Sequence, residues 1–229
     1  ISLLSGTEVR DGASNLRLMG QQRDTMVTAF ARHGYRTVAV MPGIRGRWRE
    51  GDFYGFDQIY DAGTLAYRGP SFGWWDITDQ FALARLDALE LVPVDRAPVF
   101  AVFPTISTHT PFTPAPPYQP DWARVLTPDS HDAADLAAAW AVPADWLDLG
   151  PGYVKALTYA YQTFAGYLRL RADRDFVLIL VGDHQPPALV SGEGAPWHVP
   201  IHVITSRPAL VAALEAQGFR PGLRPVLPV

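Results

Sequence analysis

Residues 176–181 read Phe-Val-Leu-Ile-Leu-Val, and the run breaks off at Gly182-Asp183-His184. Six consecutive apolar residues ending in a glycine and two metal-grade donors describe a strand buried on both faces that delivers polar groups at its carboxyl end. Two other runs have the same character, Thr37-Val38-Ala39-Val40-Met41 and residues 98–104, Pro-Val-Phe-Ala-Val-Phe-Pro. A fourth strand is expected over Val199 to Thr205. Segments with helical periodicity lie between them, at 21–33, 76–91, 153–171 and 207–217, with a shorter one near 131–140. Residues 42–73 carry many Gly, Arg and aromatic residues and read as a long loop, and residues 113–151, with many Pro, Asp and Ala, read as a loop-rich excursion. Helices alternating with continuously apolar strands imply an α/β fold, here a three-layer α/β/α sandwich with a mostly parallel central sheet covered on both faces.

The chain has 229 residues, 48% of them hydrophobic. That is enough for one core, and residues 1–229 are read as a single domain. The net charge is −4 with no long basic run, which argues against a nucleic-acid partner. Cysteine is absent, so disulfides and thiolate metal sites are excluded. No apolar stretch reaches the roughly 20 residues that span a bilayer. The sequence opens inside an apolar run at Ile1, and the expectation is an N-terminally incomplete domain with targeting or membrane segments upstream.

Open α/β sheets bind ligands beyond the carboxyl ends of their strands. The residues that follow the strands are therefore the candidates. After the first come Arg45, Arg47, Trp48 and Arg49, after the second Ser107, Thr108 and His109, after the third Asp183 and His184, and after the fourth Thr205 and Ser206. Asp183 and His184 offer oxygen and imidazole nitrogen, which suit zinc or manganese. The competing reading is an Asp that caps the next helix beside an incidental His. His109 fits contact with an anionic group or proton transfer, and equally a loop histidine before Pro111. The arginines suit bidentate anion recognition, or a solvated basic loop. His198 is expected at the start of the fourth strand, away from the active edge, and is taken as structural. His202 is expected to be a satisfied core or face residue.

Four ordered segments resemble the sulfatase-like domain of lipoteichoic acid synthases and related phosphoglycerol or phosphoethanolamine transferases, within the alkaline phosphatase superfamily. They are Ile1 to Gly6; His33-Gly34-Tyr35-Arg36-Thr37 with Gly55-Phe56-Asp57 and Tyr60-Asp61-Ala62; Thr105 to Phe112; and Tyr153 to Leu168 followed by Gly182-Asp183-His184. The resemblance implies that Asp183 and His184 are metal ligands and that His109 contacts the substrate's phosphate or sulfate. It puts Trp48, with Arg47 or Arg49, in the substrate pocket. It implies a divalent metal, Mn or Zn with Ca or Mg as alternatives, and a phosphate- or sulfate-ester substrate, lipid- or glycan-linked. It further implies an extracytoplasmic domain anchored through an upstream membrane segment. The family's nucleophile and first acidic ligand precede the segment that begins at Ile1, so the chain alone is expected to be inactive. A sulfatase, a phosphodiesterase and a non-catalytic binding domain on the same fold are the alternatives.

Overall fold

The structure is a computed structural model and describes residues 2–73 and 76–224. Ile1, the first residue of the first resemblance segment, lies outside them. Two short helices, α1 (Ser2–Ser5) and α2 (Gly12–Met19), precede α3 (Met26–Arg32). Thr25 caps α3 through a reciprocal pair with Thr28, and His33 ends it. Gly34, at φ +78°, turns the chain into β1 (Arg36–Met41). The four central residues of β1, Thr37 to Val40, are completely buried, as a continuously apolar strand requires.

The segment 42–73, read above as loop, contains three elements: α4 (Arg49–Tyr54), β2 (Gln58–Asp61) and α5 (Ala62–Leu65). A strand of four residues gives too short a period to detect, and β2 is recognisable only by its pairing. It lies parallel to β1, with Val40 opposite Tyr60 and Met41 opposite Asp61. Asp57 fixes this register by accepting from the Thr37 N–H at 2.7 Å and its hydroxyl at 3.0 Å.

After α5, helix α6 (Asp79–Leu86) continues without a break into a π-helical turn at Asp87–Leu91. It is followed by β3 (Val99–Val102), which pairs with the other side of β1 in parallel, giving the order β2-β1-β3. The principal core joins Val38, Val40 and Leu65 to Phe81, Leu83, Leu86, Val125 and Tyr167. The π turn aims two acids inward. Glu90 receives Arg36 at 2.5 and 2.7 Å, and Asp87 receives Tyr167 at 2.9 Å and the guanidinium of Arg171.

The excursion holds α7 (Trp122–Val125) and α8 (Ala133–Trp140) and leads into the long α9 (Gly150–Leu170). The side of α9 that is most deeply buried carries Ala156, Tyr159, Ala160, Thr163, Gly166 and Tyr167. The larger residues at helical spacing, Tyr153, Leu157, Tyr161, Phe164 and Leu168, lie beside it, and Tyr161 is 39% exposed. Small residues there let neighbouring segments approach the helix, and Tyr159 and Tyr167 are buried on the same side.

The last part departs from a single parallel sheet. Strand β4 (Val177–Val181), the short α10 (Ala188–Ser191), β5 (Ile201–Thr205) and α11 (Pro208–Ala216) follow in order. Strands β4 and β5 pair antiparallel in a separate two-stranded sheet. The α/β class stands, but coverage of this sheet on both faces does not: β4 alternates exposed and half-buried residues, and Val177, Ile179 and Val181 are more than 40% exposed. No helix among the described residues is long and apolar enough to cross a membrane.

Candidate functional site

The carboxyl ends of β1 and β3 bring two clefts to one region. The first has a volume of about 30 Å³ and is lined by Ile77, Thr78, Ile106, Ser107, His109 and Thr113, with Phe72, Phe112 and prolines as apolar walls. The Thr113 hydroxyl is buried and has no hydrogen-bond partner among the described residues. The second, of about 310 Å³, is lined by Arg45, Gly46, Asp61, Ala62, Gly63, Tyr67, Asp76 and Ile77. Ile77 is a wall of both.

The loop that carries His109 is built tightly. The Ile106 and Ser107 N–H groups donate to the two carboxylate oxygens of Asp79 at 2.8 and 3.0 Å. The His109 N–H returns to the Ile106 carbonyl at 3.1 Å, and Phe112 N–H to the His109 carbonyl at 2.9 Å. Phe112 holds φ at +68°, a conformation that costs an L-residue roughly 1–2 kcal/mol. Its ring is buried and meets Tyr153 edge-on, which compensates for that strain. The His109 imidazole is exposed, and its Nδ1 lies 2.7 Å from the Thr110 carbonyl, so Nδ1 is the protonated nitrogen in the neutral ring.

The arginine loop divides. Arg45 lines the larger cleft and pairs with Asp76 at 2.5 Å. Arg47 pairs with Asp52 at 2.7 Å, on the first turns of α4. Arg49 begins α4, is exposed, and among the described residues makes no ion pair. The Trp48 indole packs on Phe56 and Tyr54 and lies over Gly51, where an added Cβ would come within 2.6 Å of it. Trp48 lines neither cleft.

Asp183 and His184 stand in the bend directly after β4, 88% and 70% exposed. The His184 Nδ1 lies 2.7 Å from the Gln185 carbonyl, which makes Nε2 the lone-pair nitrogen of the neutral ring. Nε2 is 3.5 Å from Asp183 Oδ2. Two ligands each about 2.1 Å from one tetrahedral ion stand roughly 3.4 Å apart, so this pair fits two corners of a metal shell. The other corners are not supplied here: no group of three or more His, Asp or Glu able to hold an ion occurs among the described residues.

The antiparallel turn of β5 reverses one expectation. Val181 pairs with Ile201, and Val177 with Thr205. Thr205 and Ser206 therefore sit at the far end of β4, where Ser206 and Arg207 bind Asp175. His198, expected away from the active edge, lies at the Asp183 end, with the Gln185 side chain donating to its carbonyl. The signal was the strand's direction, which an apolar run does not encode. His202 is buried as expected, with Nε2 2.7 Å from the Leu223 carbonyl and its ring edge-on to Tyr161.

The sulfatase family model matches residues 4–217. No curated protein matches the sequence. Among solved structures, the lipoteichoic acid synthase LtaP from Listeria monocytogenes superposes with a TM-score of 0.62 at 16% identity, over 90% of this chain and 52% of that one. A protein in the alkaline phosphatase superfamily from Vibrio parahaemolyticus superposes with a TM-score of 0.52 at 19% identity, over 82% of this chain and 44% of that one. The chain thus spans about half the length of the structures it matches. These two structures share its α/β fold, and a match over nearly all of its residues makes this chain a member of the sulfatase family.

Proposed function

We propose that this chain is one sulfatase-like domain, residues 1–229, of a protein that transfers or hydrolyses phosphate or sulfate esters with a divalent metal. The favoured reaction is phosphoglycerol- or phosphoethanolamine-type transfer to envelope lipids or glycans, on the extracytoplasmic side of a membrane. The likeness to a lipoteichoic acid synthase supports that choice over a sulfatase or phosphodiesterase. The observation that carries the reading is the 3.5 Å juxtaposition of Asp183 Oδ2 and His184 Nε2 at a strand end, in a family-matched chain. Those two residues would hold Mn or Zn, and the metal would supply Lewis-acid stabilisation of the ester group. His109 would contact the anionic group from its clamped loop, and Arg45, Arg47 or Arg49 would add positive charge around it. Among the described residues this pair supplies half of a tetrahedral shell.

A non-catalytic binding domain on the same fold is the second reading; among the described residues no third donor stands with Asp183 and His184. Calorimetric titration of the full-length protein with Mn and Zn, as wild type, Asp183→Ala and His184→Ala, tests the first. Both side chains are exposed, so both variants should keep the wild-type melting temperature. Metal binding that either variant weakens tenfold or more supports the metal site. No binding to wild type, or binding indifferent to both changes, overturns it and leaves the second reading.

A further inference from the structure

We infer that Asp79 is the positioning residue of the His109 loop: its two carboxylate oxygens, buried at the start of α6, hold the Ile106 and Ser107 amides and thereby set where His109 stands beside the cleft. The inference rests on the proposed role of His109 as the contact to an anionic group.

An acid at the first position of a helix is ordinary, because it faces the positive end of the helix dipole. Such an acid normally sits in water. Asp79 is 1% exposed, and burying a carboxylate costs several kcal/mol before compensation. Its carboxylate oxygens accept from a segment 27 and 28 residues away. Two N–H donors, one to each oxygen, fit a carboxylate and no neutral isostere. An asparagine in its place would turn an NH2 group toward one of the amides.

The link to His109 is short. Ile106, whose N–H is held by Asp79, accepts the His109 N–H through its own carbonyl. On the other side the loop is fastened by buried Phe112 in its left-handed conformation. His109 is thus held between two anchors, one electrostatic and one steric. Thr78, the residue before Asp79, lines the same cleft. The apolar alternatives at position 79 would leave the Ile106 and Ser107 amides without partners inside the fold.

The test is NMR on the full chain, with the Ile106, Ser107 and His109 amides and the His109 imidazole as reporters. In wild type the Ile106 and Ser107 amides should exchange with solvent as slowly as α6. Exchange at the rate of an open loop would overturn the clamp without any variant. In Asp79→Asn these amides should lose protection at least tenfold, and the His109 imidazole signals should shift. Gln80→Ala, which weakens the same helix end by a different contact, should lower their protection no more than that of the α6 amides and leave the His109 signals unmoved. Equal changes in both variants, or none in Asp79→Asn, overturn the inference. Inorganic phosphate is then titrated into each. A Kd raised tenfold or more in Asp79→Asn supports positioning for ligand contact, and an unchanged Kd overturns it. If phosphate moves no His109 signal in wild type while Asp79→Asn still displaces the loop, the clamp stands and the anion-contact reading of His109 fails.

Discussion

Gln80 and Gln119 exchange two hydrogen bonds in the protein interior: Gln80 Nε2 donates to the Gln119 carbonyl at 2.6 Å, and the Gln119 N–H donates to Gln80 Oε1 at 3.0 Å. From there Gln119 Nε2 donates to the Ser130 carbonyl at 2.5 Å. His131 follows, with Nδ1 3.0 Å from the Ser130 hydroxyl and Nε2 2.8 Å from the Pro117 carbonyl. The Pro-rich excursion is therefore fastened to α6 by side-chain amides rather than by a ladder, and His131 ties Pro117 to Ser130 within it. Gln80→Leu would strand a buried N–H and a buried C=O of Gln119. The expected loss is about 2–4 kcal/mol, read as a lower urea midpoint at unchanged slope. Amides from 117 to 131 should exchange faster than in wild type. A midpoint within error of wild type would mean that water replaces the pair.

This network also marks the limit of what the sequence discloses. The apolar runs announce β1, β3 and β4, and the turn residues around Gly34 and Gly182 announce what flanks them. Short periodic signals fail in β2 and α4, where pairing with β1 and packing of Trp48 on Gly51 decide the structure. The direction of β5 is silent for a different reason: an apolar run reads the same in either sense, so His198 and Thr205 exchange ends. Asp183, His184 and His109 are found at strand ends as the fold class leads one to look. Asp79 is not, because an acid at a helix start carries its usual meaning until the segment it binds is known.

Gly166 lies under the ring of Tyr118, where α9 and the excursion meet. Helix propensity alone favours Gly166→Ala by about 1 kcal/mol. The added Cβ, however, would stand 2.8 Å from Tyr118 Cζ and 3.0 Å from its Cε2, with the hydroxyl nearer still. Displacing that ring should outweigh the propensity gain, for a net loss of about 1–3 kcal/mol. In a Tyr118→Ala background the same change should become neutral or stabilising. A double-mutant cycle by urea unfolding reads the coupling. Additivity would show that the tyrosine swings away at no cost.

Arg36, Tyr60 and Glu90 predict an acid-sensitive joint between β1, β2 and the π turn. Burial pushes the Glu90 carboxyl up, but hydrogen bonds from Arg36 and Tyr60 and the Arg36 charge outweigh it, against a small opposing effect of Asp57. The folded carboxyl is held below its ordinary value of 4.5. A depressed acid stabilises the fold above its unfolded pKa, and that contribution is lost as pH falls through the folded value. Stability should therefore decline below about pH 4.5 more steeply in wild type than in Glu90→Gln. At pH 7 the variant should lose about 2 kcal/mol, less than for a fully buried pair because the Arg36 side chain is 41% exposed. Parallel pH profiles for the two proteins would rule the joint out as the acid sensor.

The uncovered face of the β4–β5 sheet predicts behaviour in solution. Val177, Ile179 and Val181 on β4 and Ile201 on β5 point to the same side, because Val181 pairs with Ile201 and side chains alternate along each strand. Ile179 is 56% exposed, and α11 contributes no buried residue. A contiguous β-branched face of this kind binds apolar probes and promotes association. Replacing one member by a polar residue of the same branching should reduce both without harming the fold. Ile179→Thr is expected to change stability by less than about 0.5 kcal/mol, since little apolar area is withdrawn from a buried site. It should also lower anilinonaphthalene sulfonate fluorescence and the apparent mass in light scattering at high protein concentration. A stability loss above about 2 kcal/mol would instead show that the face is covered in solution, because only a buried isoleucine costs that much to truncate.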